Sequence, residues 1–297
     1  MASRNSEYIQ SPGAVLLTGG TGKVASRIAP LLKAAGIPAI IASRRGTAPE
    51  AYTSVEFDWM ALWTWEPALT AHQLVDAVFI VAPGITDPGP TAAAFIELAR
   101  SKGARRFVLL SSSQLEEGGP AMGQIHKYLR KSGDNNELEW AVLRPSWFQE
   151  NFETEEVHRK AIIEEGKVYS ATGEGKIPWV SASDIAGVGF HALTTPQAPN
   201  MEYLVLGPEL LTYGQVANVF TEVLGREITY RGLTEEELAQ RHISFGLPKE
   251  YAPVLATLDT IIKNGGENRM NDVVQIAIGK TPRKFRDYVE EKKAVWL

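Results

Sequence analysis

The sequence predicts an α/β fold built on a doubly wound parallel sheet, and two observations support this prediction. Near the start, the apolar run 14–17 leads into a glycine-rich turn and then into apolar residues at helical spacing. Short apolar runs then alternate with helical patterns as far as residue 143, which is typical of strands covered by helices on both faces. The strands of this half are predicted at 14–17, 37–42, 54–58, 74–84 with its loop, 106–113 and 138–143, and later helices at 91–102 and 121–132.

Beyond residue 150 the alternation weakens and helical patterns predominate. Two further strands are predicted, at 167–172 and 203–206, among helices at 155–165, 184–193, 212–224, 234–245, 251–264 and the C-terminus. We therefore expect a flexible leader over 1–12, a Rossmann-type core over 13–150, and a smaller, mostly helical substrate lobe over 151–297 that returns strands to the core. Ligands of open α/β sheets bind at the carboxyl ends of the strands, and we expect this lobe to cover that edge.

The composition excludes several classes of function. A net charge of −5 and a pI near 5.7 do not suit a nucleic-acid-binding protein, which usually carries a basic excess. The chain has no cysteine, which excludes thiolate chemistry, and its histidines lack the spacing of a metal site. The polar start lacks the apolar stretch of a secretory signal, and no apolar run is long enough to span a membrane. We therefore expect a cytoplasmic protein that acts on a small molecule, and its oligomeric state is not predicted.

The turn TGGTG over residues 18–22 is the first candidate for a binding site. It joins the first strand to a helix, which is the arrangement of the phosphate-binding corner in doubly wound sheets. Its glycines let the backbone turn tightly and approach a pyrophosphate, whose charge then lies at the positive end of the helix. The sequence therefore predicts a nucleotide site at this turn.

The ends of the second and third strands indicate which nucleotide would bind. Ser43 can donate a hydrogen bond, and Arg44 and Arg45 suit the 2′-phosphate of NADP, whereas an acidic residue there would favour NAD. Two arginines also fit a solvated turn, but their position about twenty residues after the glycine turn favours NADPH. Asp58, at the end of the third strand, would either bind the adenine or cap the segment that follows it, residues 59–69.

Candidate residues for the reacting end of the cofactor follow later strands. Ala82 and Pro83 are small enough to let a ribose or a flat ring approach the backbone. Ser112 and Ser113 end the fifth strand, where they would contact the nicotinamide or substrate, or would only form a turn. His126 would shuttle a proton from the helix 121–132, or would be only structural.

Several segments together resemble the NmrA-like family of atypical short-chain dehydrogenases. They are TGGTGKVASRIAPLL, the SRR after the second strand, the SSS of the fifth strand, LRPSWFQENF and PWVSASDIA, so the resemblance runs from residue 14 onward. Within the family, TGGTGK, IHKYLRKSG and YLVLGPELLTYGQVANVFTEVLGR look most like the fungal ergot-alkaloid reductases. The resemblance implies an NADPH-dependent reductase of secondary metabolism that delivers hydride to a cyclic iminium ion of a clavine alkaloid.

The resemblance also implies roles for individual residues. The pyrophosphate would be lined by Thr18, Gly19, Gly22, Lys23 and Val24, with Arg44 and Arg45 at the 2′-phosphate, Asp58 near the adenine, and Ala82 and Pro83 near the nicotinamide ribose. The chain departs from the usual glycine pattern at Ala25, where a methyl group at a helix–strand contact is usually tolerated.

The residues of a classical short-chain dehydrogenase mechanism are absent from their expected place. The Tyr-x-x-x-Lys spacing occurs only at Tyr288 and Lys292, where we expect a chance match on a solvated helix face. This absence favours an iminium substrate, because hydride transfer to it only neutralises the nitrogen, whereas a carbonyl oxygen needs a proton donor.

Aromatic residues after two strands could bind a flat cationic substrate. Trp147, Phe148 and Trp179 would provide stacking and cation–π contacts, although each would also suit ordinary core packing. Asp184 is expected to cap the helix that follows Ser183. Two other functions stay open: a regulator that senses NADP without turnover, and a reductase of another conjugated double bond.

Overall fold

The structure, a computed structural model, describes residues 13–297, so the leader predicted over residues 1–12 lies outside it. The strands are β1 (Ala14–Leu17), β2 (Ala39–Ser43), β3 (Thr53–Glu56), β4 (Val75–Val81), β5 (Arg106–Leu110), β6 (Glu139–Pro145), β7 (Lys167–Ser170), β8 (Met201–Val205) and β9 (Thr229–Gly232). The helices are α1 (Ala25–Ala34), α2 (Trp65–Thr70), α3 (Gly89–Ser101), α4 (Met122–Asp134), α5 (Asn151–Thr154), α6 (Glu156–Lys160), α7 (Ala182–Thr194), α8 (Tyr213–Leu224), α9 (Glu235–Ser244), α10 (Ala252–Lys263), α11 (Val273–Ile278) and α12 (Phe285–Lys292). Short 3₁₀ turns cover Leu62–Thr64 and Lys293–Val295, and a π-helical turn covers Ala161–Glu165.

Seven strands form one sheet in the order β3-β2-β1-β4-β5-β6-β8. Strand β1 pairs in parallel with both β2 and β4, so that Leu16 lies opposite Ile40 on one side and Val78 on the other. The strand order reverses at β1, and this is the switch point at which doubly wound sheets bind their ligands. The predicted α/β fold with a doubly wound parallel sheet is therefore confirmed.

The first of two compact units holds the amino-terminal strands of the sheet. It comprises the described residues through Leu110 together with Glu117–Ala141 and Ala192–Met201. Its core includes fully buried Phe79, Phe95 and Phe107.

The second unit comprises Ser111–Glu116, Val142–His191 and Glu202–Leu297. Its core is an aromatic cluster that includes Phe152, Phe220, Phe285 and Trp296, all fully buried. A small sheet pairs β7 with β9 in parallel. The sequence did not predict β9, because its four residues are mostly exposed and form no apolar run. The predicted division of the chain at residue 150 stays a prediction.

The helix predicted over 155–165 is confirmed to within one residue, as α6 followed directly by the π-helical turn. Glu155 is its extended N-cap residue, and Gly166 ends it in the left-handed conformation. One prediction for the second half is wrong in detail. Asp184 does not cap α7 through its side chain. Instead the Ser181 hydroxyl accepts the Asp184 N–H at 3.0 Å and donates to the Asp184 carboxylate at 2.8 Å.

No helix within residues 13–297 has both the length and the apolar character needed to cross a membrane.

Candidate active site

The glycine turn after β1 has a backbone that accepts almost no side chains. Gly19 has a φ of +59°, in the left-handed region that favours glycine. A Cβ on Gly20 would lie 2.7 Å from Ile41 Cγ2 and 2.9 Å from the Leu17 carbonyl oxygen, closer than packed atoms approach. The Gly22 N–H donates to the Gly19 carbonyl at 2.8 Å and closes the turn. The turn is therefore a compact backbone surface, and Gly20 is the position the sequence prediction missed.

The neighbours of the turn show why it is rigid. Thr18 is fully buried, and its hydroxyl donates to the Phe79 carbonyl at 3.0 Å and accepts the Val81 N–H at 2.8 Å, which ties β1 to β4. Its N–H also donates to the Phe79 carbonyl at 3.0 Å, so both of its donors are used within the sheet, and its predicted contact with the pyrophosphate stays a prediction. Val24 is the N-cap of α1 and forms no side-chain cap, while the Lys23 side chain is only half-buried.

The start of α1 fits a phosphate group. A helix N-terminus presents N–H groups and a partial positive charge, and a side-chain oxygen usually satisfies part of it. Here the cap position is the apolar Val24, and exposed Gly22 precedes it at the surface. The close-packed glycines and the uncapped helix together fit the pyrophosphate of a dinucleotide.

The end of β2 presents two free cationic groups. Arg44 and Arg45 are exposed, and within residues 13–297 neither forms an ion pair. Ser43 is buried, and its hydroxyl donates to the Thr47 carbonyl at 3.4 Å within its own loop. The two guanidinium groups are thus available to an anionic ligand, whereas the Ser43 hydroxyl is turned toward the protein.

Asp58 lies just beyond β3 and stabilises its own loop. Its carboxylate accepts the Met60 N–H at 2.8 Å, which agrees with the alternative that Asp58 caps the segment that follows it. Its role at the adenine stays a prediction. The following Trp59 is partly buried and donates its indole N–H to the Val81 carbonyl at 3.0 Å. The sequence prediction missed this aromatic residue at the carboxyl end of β4, because only its partner across the sheet places it there.

Ala82 and Pro83 follow β4, where Ala82 is half-buried and Pro83 is buried. They place no large side chain there, as the ribose prediction requires. A separate cavity of about 660 Å³ is lined by α3 and by Gln124, Lys127, Tyr128 and Lys131 of α4. None of the predicted site residues lines it.

His126 points into the interior of the first unit. It is 2% exposed, and its ring lies 5.6 Å from the Trp140 ring, centroid to centroid. Nearby on α4, the Tyr128 hydroxyl donates to Glu97. Burial, and then this hydrogen bond, raise the pKa of Tyr128, while the same bond is the main cause of the lowered pKa of Glu97. The structure thus gives His126 a packing role, and its catalytic role stays an untested prediction.

In the second unit, the two serines after β5 differ in their environment. Ser112 is half-buried, and its hydroxyl oxygen accepts the Gln114 N–H at 3.3 Å. Ser113 is 1% exposed, and its hydroxyl donates to the carboxylate of Glu267 at 2.8 Å. Glu267 is fully buried, and sequence reasoning missed it because its serine partners, Ser113 and Ser146, lie more than 100 residues away along the chain.

The three predicted substrate-binding aromatics also differ. Trp147 and Phe148 are half-buried, and Phe148 forms a β-bridge with Val180. Trp179 is 1% exposed, with its ring 5.1 Å from Phe152 and 5.2 Å from Tyr213. Trp179 therefore belongs to the core of the unit, and only Trp147 and Phe148 have aromatic surface to offer a ligand.

The expectation that Tyr288 lies on a solvated face is wrong. Its side chain is fully buried in the aromatic cluster, 6.0 Å from Trp296 between ring centroids, and its hydroxyl donates to Glu153 at 3.4 Å. Because α12 packs this tyrosine against the core, the Tyr288–Lys292 spacing reflects helix packing.

Comparison with known proteins identifies the family. Residues 121–290 match the NmrA-like family, and residues 19–196 match a family of NAD(P)H-binding proteins. The chain is 44% identical over 288 residues to agroclavine dehydrogenase of Claviceps fusiformis, an alignment that covers 95% of this chain and 98% of that relative. It is 42% identical over 288 residues to festuclavine synthase II of Penicillium roqueforti, covering 95% of this chain and 99% of that relative.

Solved structures share the fold at lower identity. The NADPH-dependent quinone oxidoreductase of Escherichia coli in complex with NADPH matches with a TM-score of 0.77 at 22% identity, covering 94% of this chain and 99% of that one. The triphenylmethane reductase of Citrobacter sp. in complex with NADP(H) matches with a TM-score of 0.76 at 19% identity, with the same coverage. The glycine turn and uncapped helix fit the cofactor that the family model names, and the chain belongs to the NmrA-like family of NAD(P)H-binding proteins.

Proposed function

We propose that the protein is an NADPH-dependent reductase that delivers hydride to the cyclic iminium carbon of a clavine-type indole alkaloid in secondary metabolism. The observation that carries this proposal is the similarity to agroclavine dehydrogenase and festuclavine synthase, at 42–44% identity over 95% of the chain. Similarity of that extent covers both compact units, and not the nucleotide-binding half alone.

The free arginines after β2 support NADPH over NADH. Arg44 and Arg45 are exposed and, in the described chain, have no carboxylate partner. A guanidinium group binds phosphate oxygens in a planar, two-pronged geometry, and a 2′-phosphate is the group that distinguishes the two cofactors. An acidic residue in this place would instead repel that phosphate.

The residues around α4 support a substrate that needs no proton. When bound, NADPH supplies the hydride. The Tyr128 hydroxyl is committed to Glu97, and its pKa is raised, so it is poorly suited to protonating a substrate. An iminium carbon is already electrophilic and becomes a neutral amine on reduction, so the protein has to orient the reactants and exclude water.

Two aromatic residues are suited to holding a flat cationic ring. Trp147 and Phe148 follow β6 directly and keep part of their rings exposed, which allows stacking and cation–π contact with a ligand. Trp179 would act indirectly by packing in the core that supports them. Of the predicted catalytic residues, Ser112 is the one with an accessible hydroxyl.

The test is turnover with NADPH and a panel of cyclic iminium substrates, with simple ketones and enones as comparison substrates. We expect loss of nicotinamide absorbance with the iminium ions and formation of the corresponding cyclic amines. Reduction of enones alone would support a reductase of another conjugated double bond. Tight NADPH binding without oxidation by any substrate would contradict the proposal and favour a regulator that senses NADP.

A further inference from the structure

We propose that Glu267 is a positioning residue that holds the segment Ser111–Glu116, which follows β5, in place, so that the hydroxyl of Ser112 is presented to the substrate. The inference rests on the proposed reductase function for what Ser112 contacts. The hydrogen bonds of Glu267 stand independently of that function. All residues of this hydrogen-bond network belong to the second unit.

Glu267 is a fully buried carboxylate with four hydrogen-bond donors. One oxygen, Oε1, accepts from Ser113 Oγ at 2.8 Å, from Arg269 Nη2 at 3.1 Å and from the Gln114 side-chain amide. The other, Oε2, accepts from Ser146 Oγ at 3.0 Å. An ionised carboxylate offers acceptors only, so it satisfies this set of donors. Glu267 therefore joins the residues after β5 to the residue after β6.

The local sequence explains how Glu267 reaches the interior. It follows Gly265 and Gly266, just after α10 ends. Gly265 has a φ of +87°, and a Cβ on Gly266 would lie 2.5 Å from Ile261 Cγ2. Both positions therefore require glycine, and the tight turn that they allow brings the Glu267 side chain back into the unit.

Ser113 has no polar group left for a ligand. Its N–H donates to the Pro145 carbonyl at 2.9 Å, and its hydroxyl is bound to Glu267. Its carbonyl oxygen accepts from two guanidinium groups, Arg144 Nη2 at 3.0 Å and Arg269 Nη2 at 2.9 Å. Because every hydrogen-bonding group of Ser113 is used, this residue acts as the fixed point of the segment.

Ion pairs extend this network. Arg144 is 5% exposed in its side chain and pairs with Glu116 and with Glu202, while Arg269 pairs with Glu267. These ion pairs join Glu116 and Glu202 to Arg144, one of the two arginines whose guanidinium groups bind the Ser113 carbonyl.

Ser112 is the residue that this network leaves available. Its hydroxyl oxygen accepts the Gln114 N–H, but within residues 13–297 the hydroxyl donates no hydrogen bond, and the side chain is half-buried. The Ser112 carbonyl accepts a hydrogen bond from Arg144 Nε at 3.5 Å, so Arg144 binds the backbone carbonyls of both Ser112 and Ser113. The hydrogen-bonded residues next to Ser112 thus keep its free hydroxyl donor in one position.

The experiment compares Glu267→Ala, Glu267→Gln, Ser112→Ala and the double variant Ser112→Ala/Glu267→Ala. In Glu267→Gln the amide oxygen can accept the three bonds now made to Oε1, while its NH₂ donates to Ser146, whose hydroxyl can rotate to accept. We expect Glu267→Ala to lower kcat about 10- to 100-fold with unchanged NADPH affinity, and Glu267→Gln to recover most of it. Glu222→Gln, an exposed glutamate paired with Arg286, is the matched control and should keep full activity.

The double variant separates positioning from a general structural role. If Glu267 acts through Ser112, the double variant should be no slower than the slower single variant, because the two residues act as one unit. Multiplied losses would contradict the proposal. If Glu267→Ala does not fold, Ser113→Ala takes its place, because it removes only the hydroxyl that donates to Glu267.

Hydrogen exchange of residues 111–116 tests the network without any substrate. Glu267→Ala should exchange these backbone amides faster than wild type, while α8 and α12 stay unchanged. Unchanged exchange would overturn the proposal. If Glu267→Ala exchanges faster but the wild-type protein reduces no iminium ion, Glu267 still holds residues 111–116 in place. That result would refute the role of Ser112 toward the substrate and, separately, the proposed function.

Discussion

The starts of α1 and of α8 and α9 differ in how their backbone N–H groups are satisfied. Thr212 and Thr234 accept the N–H groups of Gln215 and Glu237, whose side chains bond back to the cap residues, so α8 and α9 each begin with a capping box. Helix α1 begins at Val24 without a side-chain cap. The start of α1 thus lacks a side-chain cap, whereas the starts of α8 and α9 each have one.

The same contrast holds for charged side chains. Arg44 and Arg45 have no ion-pair partner among the described residues, whereas the buried carboxylate of Glu267 has four donors. Polar groups that have no partner within the protein indicate a ligand site, whereas polar groups that are hydrogen-bonded within the protein indicate a structural role. This contrast supports the proposal that the cofactor binds to the first unit, whereas the buried Glu267 carboxylate is hydrogen-bonded within the second unit.

The largest effect is expected when the open arginines are removed. Replacing Arg44 and Arg45 by alanine should weaken NADPH binding by about 3 kcal/mol, roughly 100-fold, because charge-assisted bonds to the 2′-phosphate are lost. NADH binding should change little. Titration of both cofactors measures the ratio, and Arg105→Ala, at an exposed arginine of the same unit, is the control. Equal weakening of both cofactors would refute the assignment.

Asp259, a buried carboxylate that is hydrogen-bonded within the protein, should instead affect stability. Burial is the main cause that raises the pKa of Asp259 to about 6, although its carboxylate accepts the Ala171 N–H at 2.7 Å. Because the pKa of Asp259 is higher in the folded than in the unfolded protein, its contribution to folding stability is fully present below about pH 4. That contribution is lost as the pH rises through about 6. Near pH 7, Asp259→Asn should raise the free energy of unfolding by up to about 3 kcal/mol.

Denaturant unfolding of wild type and Asp259→Asn across this pH range measures the difference. Asp134→Asn, at a side chain that is 70% exposed, serves as the control and should leave the pH dependence unchanged. A constant difference between wild type and Asp259→Asn, from below about pH 4 to near pH 7, would mean that Asp259 does not titrate as described.

Filling the glycine turn should affect both stability and binding. Gly20→Ala places a Cβ against Ile41 and the Leu17 carbonyl, which should cost about 1–3 kcal/mol of folding free energy and weaken NADPH binding about tenfold. In Gly214→Ala the added Cβ would lie 3.5 Å from its nearest neighbour, so neither quantity should fall. Thermal unfolding and cofactor titration report both. Normal NADPH affinity in Gly20→Ala would remove the turn from the binding site.

The smallest effect is expected at a closed helix start. Thr234→Ala removes the hydroxyl that accepts the Glu237 N–H at 3.1 Å, which should reduce the free energy of unfolding by about 1 kcal/mol. NADPH affinity should not change, because α9 satisfies its own donors. A loss of cofactor binding in this variant would contradict the separate roles proposed for helix starts with and without a side-chain cap.

Local patterns were enough to predict the fold and the nucleotide-binding turn. The apolar run of β1, the glycines and the first helix are contiguous, so their spacing alone indicates their joint structure. A nucleotide site followed from the same stretch, and the NADPH prediction from the arginines after the second strand; an NAD(P)H cofactor is confirmed by the family match. Arg44 and Arg45 could be placed because they follow a predicted strand, and their contact with the 2′-phosphate stays a prediction.

The residues that were missed depend on distant contacts. Glu267 meets Ser113 and Ser146 from positions 154 and 121 residues away, and no periodicity records such a meeting. Trp179 and Tyr288 looked like a ligand wall and a solvated residue, yet both are buried, because aromatic residues on several elements gather into one core. Exposure is a property of packing, so the sequence does not separate a binding aromatic from a core aromatic.

The most direct test of the account is transfer of deuterium from NADPH labelled at the reacting carbon of the nicotinamide. With a cyclic iminium substrate, the account predicts that the label appears in the product, on the carbon of the former C=N bond, and that Arg44→Ala/Arg45→Ala slows this transfer with NADPH but not with labelled NADH. Product that forms without the label, or no product while NADPH binds tightly, would contradict it.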